Sequence, residues 1–346
     1  MKLLVSALEP SSNLHLKEVL AHTQDIELLG IFDSSFGTPL YDISNMAIMG
    51  IVDAIKKIRW FFKVADEMVA LAKEADKILL MDSSGFNLPL AKKLKKAYPN
   101  KEIIYYILPQ IWASRPKRAK KLELYCDKLL GILPFEVEYY QSKAQYIGHP
   151  LLDEIKISHQ PNSNTISFMP GSRKSEVSKL LPVFKEVRAR LSDKKALLII
   201  PSSFSTEKIE SLYGDISEFE IRRETHTALA ESEFAFICSG TATLESALIG
   251  TPFTLSFIAK KVDFFIGTKF LNIKQVGLAN IILTHYNNTT LHNELLQEDV
   301  TVENLLKEYH QTNRELFEQK AHELRAYLSH GSSIGVAKII QSGQEL

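Results

Sequence analysis

Short apolar runs of strand type alternate along this chain with helical patterns, and that alternation limits its fold more than any other feature. Lys2–Ala7, Ile26–Phe32, Lys77–Met81, Ile103–Leu108 and Lys128–Leu133 read as strands. Helices are expected between them, from about Asn13, from Ile51 to about Lys73, and over Leu88–Ala97. A βαβ succession implies a parallel sheet covered by helices on both faces. The stretch GHPLLDEIKISHQPNSN, 148–164, is polar and broken by prolines, and its second half reads as a linker. Alternation then restarts, with strands at Thr165–Met169, Ala196–Ile200, Glu218–Arg222, Glu233–Cys238 and Phe253–Phe257 and helices at Ser172–Leu191 and Ala242–Ile249. From about Asn293 the pattern is mostly helical. Two doubly wound α/β units are expected, 1–155 and 156–330, with a last helix in 331–346 able to pack back on the first. Ligands of such sheets bind beyond the carboxyl ends of the strands, so the site is expected in the cleft between the units.

Composition removes several function classes. Lys+Arg and Asp+Glu both number 41, so the net charge is zero, which argues against a nucleic-acid protein although it permits local basic patches. The two cysteines, Cys126 and Cys238, have no metal-type spacing and cannot form a disulfide framework, which fits a reducing cytoplasm. The apolar start Leu3–Leu8 stops at Glu9, too short for a signal peptide. No apolar run approaches the ~18–20 residues of a spanning helix. The chain is expected to be soluble or peripheral.

Two turns in the second half have the form of phosphate sites. Phe168-Met169-Pro170-Gly171-Ser172-Arg173 is a strand end, a glycine turn and a helix start with Ser172 as N-cap candidate. Orphan N–H groups and the helix dipole attract anions there, and Arg173 can fork onto two phosphate oxygens. On this count Glu176 falls one residue too far for a capping box. Cys238-Ser239-Gly240-Thr241-Ala242-Thr243-Leu244-Glu245 repeats the form, with Glu245 one turn into the helix, where a carboxylate can hold ribose hydroxyls. The first turn alone reads also as an ordinary capped αβ junction, and the second as a glycine turn with a solvated Glu; two in one half point to a nucleotide. Neither is a Walker loop, and no D-x-D pair for a metal-bound nucleotide sugar occurs.

In the first half, Asp82 ends a strand within Leu80-Met81-Asp82-Ser83-Ser84-Gly85-Phe86-Asn87. It is a candidate general base, or else the N-cap of the next helix. The segment 107–118 combines Trp112 with Arg115, Lys117 and Arg118 and could meet phosphates or an anionic membrane surface, or be a solvated helix start. In the helix from Ile51 the expected core stripe is Ile51, Ile55, Ile58, Phe62, Ala65 and Val69. Trp60 then projects outward beside Lys56, Lys57, Lys63 and Val64, as at a lipid headgroup boundary, unless it packs under a loop. Residues 257–271 have a similar mixed character. His149, in Gly148-His149-Pro150, reads as structural.

Taken in order, these pieces resemble the lipid-A-disaccharide synthase family. The matching residues are Ala47-Ile48-Met49-Gly50-Ile51-Val52, Asp82 through Phe86-Asn87, Trp112-Ala113 with Arg115 and Lys117-Arg118, Leu133-Pro134-Phe135-Glu136 and Ile147-Gly148-His149. They continue with Pro170-Gly171-Ser172-Arg173 and Glu176-Val177, Ser239-Gly240-Thr241-Ala242 with Leu244-Glu245, and Leu278-Ala279-Asn280. The family's first loop, Gly-Glu-x-Ser-Gly-Asp, reads Leu8-Glu9-Pro10-Ser11-Ser12-Asn13 here. Its Gly-Gly-Pro after the second strand is absent at Phe32–Ser35, and its second Asp in Asp-x-Pro-Asp-Phe-Asn is Gly85.

The resemblance implies a GT-B fold, two Rossmann-like domains facing a cleft. It implies an inverting transfer from UDP-2,3-diacylglucosamine to 2,3-diacylglucosamine 1-phosphate, with no cofactor and no metal. Asp82 is then the expected base and Glu9 the reserve. Gly171, Ser172, Arg173, Ser239, Gly240, Thr241, Glu245 and Asn280 would lie on the donor side. Met49, Lys56, Trp60, Lys63, Trp112, Arg115, Lys117 and Arg118 would form a surface for acylated acceptor and inner membrane. Other open readings are a peptidoglycan N-acetylglucosaminyltransferase, a UDP-N-acetylglucosamine epimerase and a non-catalytic sugar-binding protein.

Overall fold

The computed structural model describes residues 1–42, 54–113, 116–259 and 275–342. The chain divides into two compact units, Met1–Glu154 together with the stretch from Leu328, and Ile155–Tyr327.

The first unit is a seven-stranded sheet in the order β3-β2-β1-β4-β5-β6-β7, every pair parallel. Its strands are β1 (Lys2–Ala7), β2 (Glu27–Phe32), β3 (Tyr41–Asp42), β4 (Lys77–Met81), β5 (Glu102–Tyr106), β6 (Lys128–Gly131) and β7 (Ala144–Tyr146). The helices among them are α1 (Pro10–Leu20), α2 (Ala54–Leu71), α3 (Ser84–Ala97), α4 (Lys117–Tyr125) and α5 (Pro150–Glu154). The central strands are apolar on both faces because helices cover both: Leu3, Leu4 and Val5 of β1 and Ile78, Leu79 and Leu80 of β4 are fully buried.

Gly30 is the one position in β2 where a side chain is forbidden. Its φ is +109°, and a Cβ would stand 2.3 Å from the Val5 carbonyl oxygen.

The chain returns to this unit through a last helix, α13 (Ser332–Gln341), whose Val336, Ala337 and Ile340 pack with Leu3, Val5 and Phe32. Asp153 accepts the Gly331 and Ser333 N–H groups at 2.8 and 2.7 Å and so caps its start. Tyr106 and Ser332 hydroxyls lie 2.8 Å apart beneath it.

The second unit is a six-stranded parallel sheet in the order β10-β9-β8-β11-β12-β13. Its strands are β8 (Asn162–Met169), β9 (Lys195–Ile199), β10 (Glu220–Arg222), β11 (Ser232–Cys238), β12 (Phe253–Phe257) and β13 (Glu294–Leu296). Its helices are α6 (Lys174–Arg190), α7 (Thr206–Tyr213), α8 (Thr225–Glu231), α9 (Thr241–Ile249), α10 (Leu278–Asn287), α11 (Val302–Gln311) and α12 (Arg314–Leu328). Stacked Phe168 and Phe236, centroids 5.1 Å apart, anchor the core under α6.

In each sheet the strand order reverses once, between β1 and β4 in the first and between β8 and β11 in the second. Crevices open at the carboxyl ends of strands at such reversals.

Candidate active site

At the first reversal, the loop after β1 meets the loop after β4. Asn13 is buried and ties the β1 loop down. Its Nδ2 donates to the Ala7 and Glu9 carbonyls at 2.9 and 3.0 Å, and its Oδ1 accepts the Asp33 N–H at 2.8 Å. Glu9 occupies the N-cap position of α1, exposed, and its carboxylate accepts the Ser83 hydroxyl at 3.2 Å.

Asp82 and Ser83 both lie in the left-handed region, φ +49° and +38°. Two successive residues there cost about 1–3 kcal/mol each unless the surroundings hold them. Asn87 is the holder. It is fully buried, donates to the Met81 and Asp82 carbonyls at 2.9 and 3.0 Å, and accepts the Ser6 hydroxyl at 2.6 Å. The Tyr105 hydroxyl also donates to the Asp82 carbonyl, at 2.5 Å. The N-cap of α3 is Ser83, so Asp82 precedes the cap. Burial raises the Asp82 carboxyl above its ordinary 3.8, opposed by the Ser83 N–H and by the charge of His15.

Arg118 also comes to this place, its Nη1 donating to Ser84 Oγ at 2.7 Å. His15, on the buried face of α1, is hydrogen-bonded through Nδ1 to Glu154. His149 is buried, and burial pushes its imidazole down to about 3, so it stays neutral.

At the second reversal, Pro170–Arg173 follows β8 and Ser239–Thr241 follows β11, on adjacent strands. The helix start lies one residue later than the sequence suggested. Arg173, rather than Ser172, is the N-cap of α6, which makes Glu176 the third helical residue. From there Glu176 reaches back and accepts the Ser172 and Arg173 N–H groups at 3.1 and 3.2 Å. Burial pushes the Cys238 thiol to about 12; Glu176 raises it and Arg173 lowers it, so both charges act on the end of β11.

The second turn is closed by the Thr243 hydroxyl, which donates to the Gly240 carbonyl at 2.7 Å, and α9 begins at Thr241. A Cβ on Gly240 would meet nothing within 4 Å. Glu245 lies 3.5 Å from His226 Nε2.

Asn280 is enclosed by its surroundings. It is 2% exposed, its Nδ2 donates to the His292 carbonyl and to Glu294, both at 2.9 Å, and its Oδ1 accepts the Leu291 and His292 N–H groups. With both ends of the amide used internally, it braces α10 against 291–294.

Of the two readings open for Trp60, packing against neighbours is the one found. Trp60 packs edge-on against Tyr41 and Phe61, centroids 5.6 and 5.3 Å away, beside the core of the first unit. Val64, placed on the outer face by the sequence reading, is fully buried, while Phe62, placed in the core, is 58% exposed. The helix is turned by about one residue because Val64, Ala65, Met68 and Ala72 make the seam. Lys63 is exposed and pairs with Glu67. Trp112 packs edge-on against Phe135, centroids 5.4 Å apart, and Lys117 is exposed. Met49 and the 47–52 motif, Arg115, the side chain of Lys56 and residues 260–271 lie outside the described residues.

Sequence alone does not mark Asn13, His15, Asn87 and Glu176 as site residues. A polar residue flanked by buried apolar ones was the available signal for Asn87, between Phe86 and Leu88, and for His15, before Leu16.

The sequence model of the lipid-A-disaccharide synthetase family matches residues 3–337. A lipid-A-disaccharide synthase from Helicobacter pylori strain J99 is 50% identical over 351 residues, covering 97% of each chain. One from Campylobacter jejuni strain RM1221 is 44% identical over 361 residues, covering 97% of this chain and 98% of its own. Among solved structures, a putative UDP-N-acetylglucosamine 2-epimerase from Listeria monocytogenes superposes with a TM-score of 0.59 at 13% identity, covering 98% of this chain and 94% of its own. The glycosyltransferase SnogD from Streptomyces nogalater gives 0.57 at 14%, covering 98% of each. These structural likenesses speak to the fold alone: with the two parallel sheets, they give the chain the GT-B fold.

Proposed function

The chain belongs to the lipid-A-disaccharide synthetase family, and we propose that it transfers the sugar of UDP-2,3-diacylglucosamine to the 6-hydroxyl of 2,3-diacylglucosamine 1-phosphate, giving the β-1′,6-linked disaccharide 1-phosphate and UDP. It is a glycosyltransferase of lipid A biosynthesis. The readings as a peptidoglycan transferase, an epimerase or a non-catalytic sugar binder are not favoured, because relatives 44–50% identical over nearly the whole chain are lipid-A-disaccharide synthases.

One observation carries the mechanism: in each unit the chemically distinctive residues gather at the strand-order reversal. Inversion takes a single in-line displacement, with a base removing the acceptor hydroxyl proton. Asp82, held in a strained turn ahead of the helix cap, is that base; Glu9, beside Ser83, is the reserve. On the second unit Arg173 and the turns at Gly171-Ser172 and Ser239-Gly240-Thr241 meet the diphosphate and stabilise the charge that develops on UDP. The open space over Gly240 lets backbone approach a phosphate. Glu245, one turn into α9, holds the ribose.

Product analysis tests this directly. Purified protein given both acylated substrates in excess EDTA is expected to yield the disaccharide 1-phosphate and UDP by mass spectrometry. No D-x-D pair is present, and Arg173 with the two turns supplies the charge. Absence of the disaccharide with and without Mg²⁺ would refute the activity; activity only with Mg²⁺ would refute the metal-free mechanism.

Both substrates are acylated, so the enzyme works at a lipid surface. No described helix is long and apolar enough to cross a membrane. Peripheral attachment to the inner face of the cytoplasmic membrane is the reading retained, with α4 replacing the Trp60 face. Lys117, Lys120, Lys121 and Leu124 follow the i, i+3, i+4, i+7 spacing of one helix face, and all are exposed. Each lysine near an anionic surface contributes about 1 kcal/mol. Reversing all three to Glu is expected to weaken partitioning onto anionic vesicles by at least ~10²-fold. Unchanged sedimentation with vesicles would mean that α4 is merely solvated.

A further inference from the structure

Arg173 is not alone at its turn. Oε1 of Glu176 accepts a hydrogen bond from Arg173 Nη1 at 2.8 Å, while Oε2 accepts the Ser172 and Arg173 N–H groups at 3.1 and 3.2 Å. The Arg173 side chain is 79% exposed and that of Glu176 only 18%. The carboxylate therefore sits under the turn and the guanidinium above it.

Two further contacts fit the turn to this carboxylate. Gly171 has φ +99°, and a Cβ there would stand 2.5 Å from Glu176 Oε2 and 2.8 Å from Glu176 Cβ, so Glu176 fills the space a side chain would need. From the other side the Tyr213 hydroxyl donates to the Gly171 carbonyl at 2.8 Å.

We propose that Glu176 is a positioning residue for Arg173: one carboxylate oxygen fixes the Gly171–Arg173 turn and the other ties one edge of the guanidinium, leaving its remaining N–H groups aimed outward at the donor diphosphate. This rests on the reading of Arg173 as the diphosphate-binding cation. A free arginine carries much rotamer entropy, which a pinned one has lost before the donor arrives. The carboxylate also lowers the local positive potential. That cost is offset only if orientation matters more to turnover than raw attraction, as preorganised electrostatics would have it.

Glu176→Gln separates the two jobs. The amide oxygen can still accept the backbone N–H groups, but the NH2 end cannot accept from Arg173. With purified full-length protein and both acylated substrates, kcat/KM for the donor is expected to fall about 10- to 100-fold, as for a misaimed contact group. UDP binding by titration calorimetry is expected to weaken, with the melting temperature within a few degrees of wild type. Glu176→Asp keeps the charge at the helix start but ends one methylene short of Arg173, and is expected to show the same split if the Gln variant is poorly folded.

The double variant Glu176→Gln/Arg173→Ala is expected to be no slower than Arg173→Ala alone, because Glu176 acts through Arg173. Wild-type turnover in both Glu176 variants would reduce the residue to a helix cap. Tighter UDP binding than wild type would make it a competitor for the phosphate site. Losses that multiply in the double variant would show it acting independently of Arg173. A wild-type-like Arg173→Ala would instead remove Arg173 from the donor site, overturning the earlier reading and this one together.

Discussion

Arg173→Ala is expected to lower kcat/KM by about 10²-fold, roughly 3 kcal/mol, while barely moving the melting temperature. The magnitude is that of removing one preorganised donor aimed at developing charge. The separation from stability follows from where the residue stands. Its side chain is 79% exposed, and its pair with Glu176 spans a single helical turn, so the lost ion pair contributes well under about 1 kcal/mol. Its backbone N–H keeps its bond to Glu176 whatever the side chain. Steady-state kinetics and a thermal melt on the same preparation check both halves. Comparable kcat/KM in variant and wild type would take Arg173 out of the donor site; a collapsed melt would mean that the turn needs the guanidinium to fold.

Strand positions were readable because buried parallel strands are nearly continuous apolar runs. Lys77–Met81 and Phe253–Phe257 stand where the pattern put them. Helix starts were less legible, since they are written in small polar residues that serve caps and turns alike. α1 begins at Pro10 instead of near Asn13, and α3 at Ser84 instead of Leu88. With Arg173 as the cap, Glu176 is the third helical residue and can reach back; Ser172, an equally good cap by residue type, masks that spacing in the sequence. The phase of α2 was ambiguous for another reason: Trp60, Phe61, Phe62 and Val64 put apolar groups on nearly every side, and only packing against the sheet chooses among them. Asn280 stands on the donor side by resemblance alone; an amide can bind a sugar or a backbone equally well, and its internal bonds to 291–294 are not legible in sequence.

Asp82→Asn is expected to have the largest effect of all, a loss of kcat of about 10²–10⁴-fold with UDP affinity nearly unchanged. The carboxylate follows Leu79-Leu80-Met81 at the carboxyl end of β4, and its N–H donates to the Tyr106 carbonyl at 3.0 Å, so the turn begins where the strand ends. Asn is the informative replacement. Like Asp, it tolerates the left-handed φ of +49° that most side chains would strain to adopt, and it cannot take a proton. Stability is not expected to suffer. Burial raises the folded carboxyl above its ordinary value, so the favourable contribution of Asp82 is present below its unfolded pKa and lost as pH rises through the folded one. At pH 7 a neutral Asn removes that penalty, and the variant should melt at or above the wild-type temperature. The same shift sets the pH profile. The base must be ionised, so wild-type activity should fall on acidification through a pKa above the 3.8 of an ordinary aspartate, and that limb should vanish from the residual activity of the variant. Near-wild-type kcat in Asp82→Asn would mean that the base lies elsewhere. Glu9, whose carboxylate accepts the Ser83 hydroxyl at 3.2 Å, would then be the group to replace.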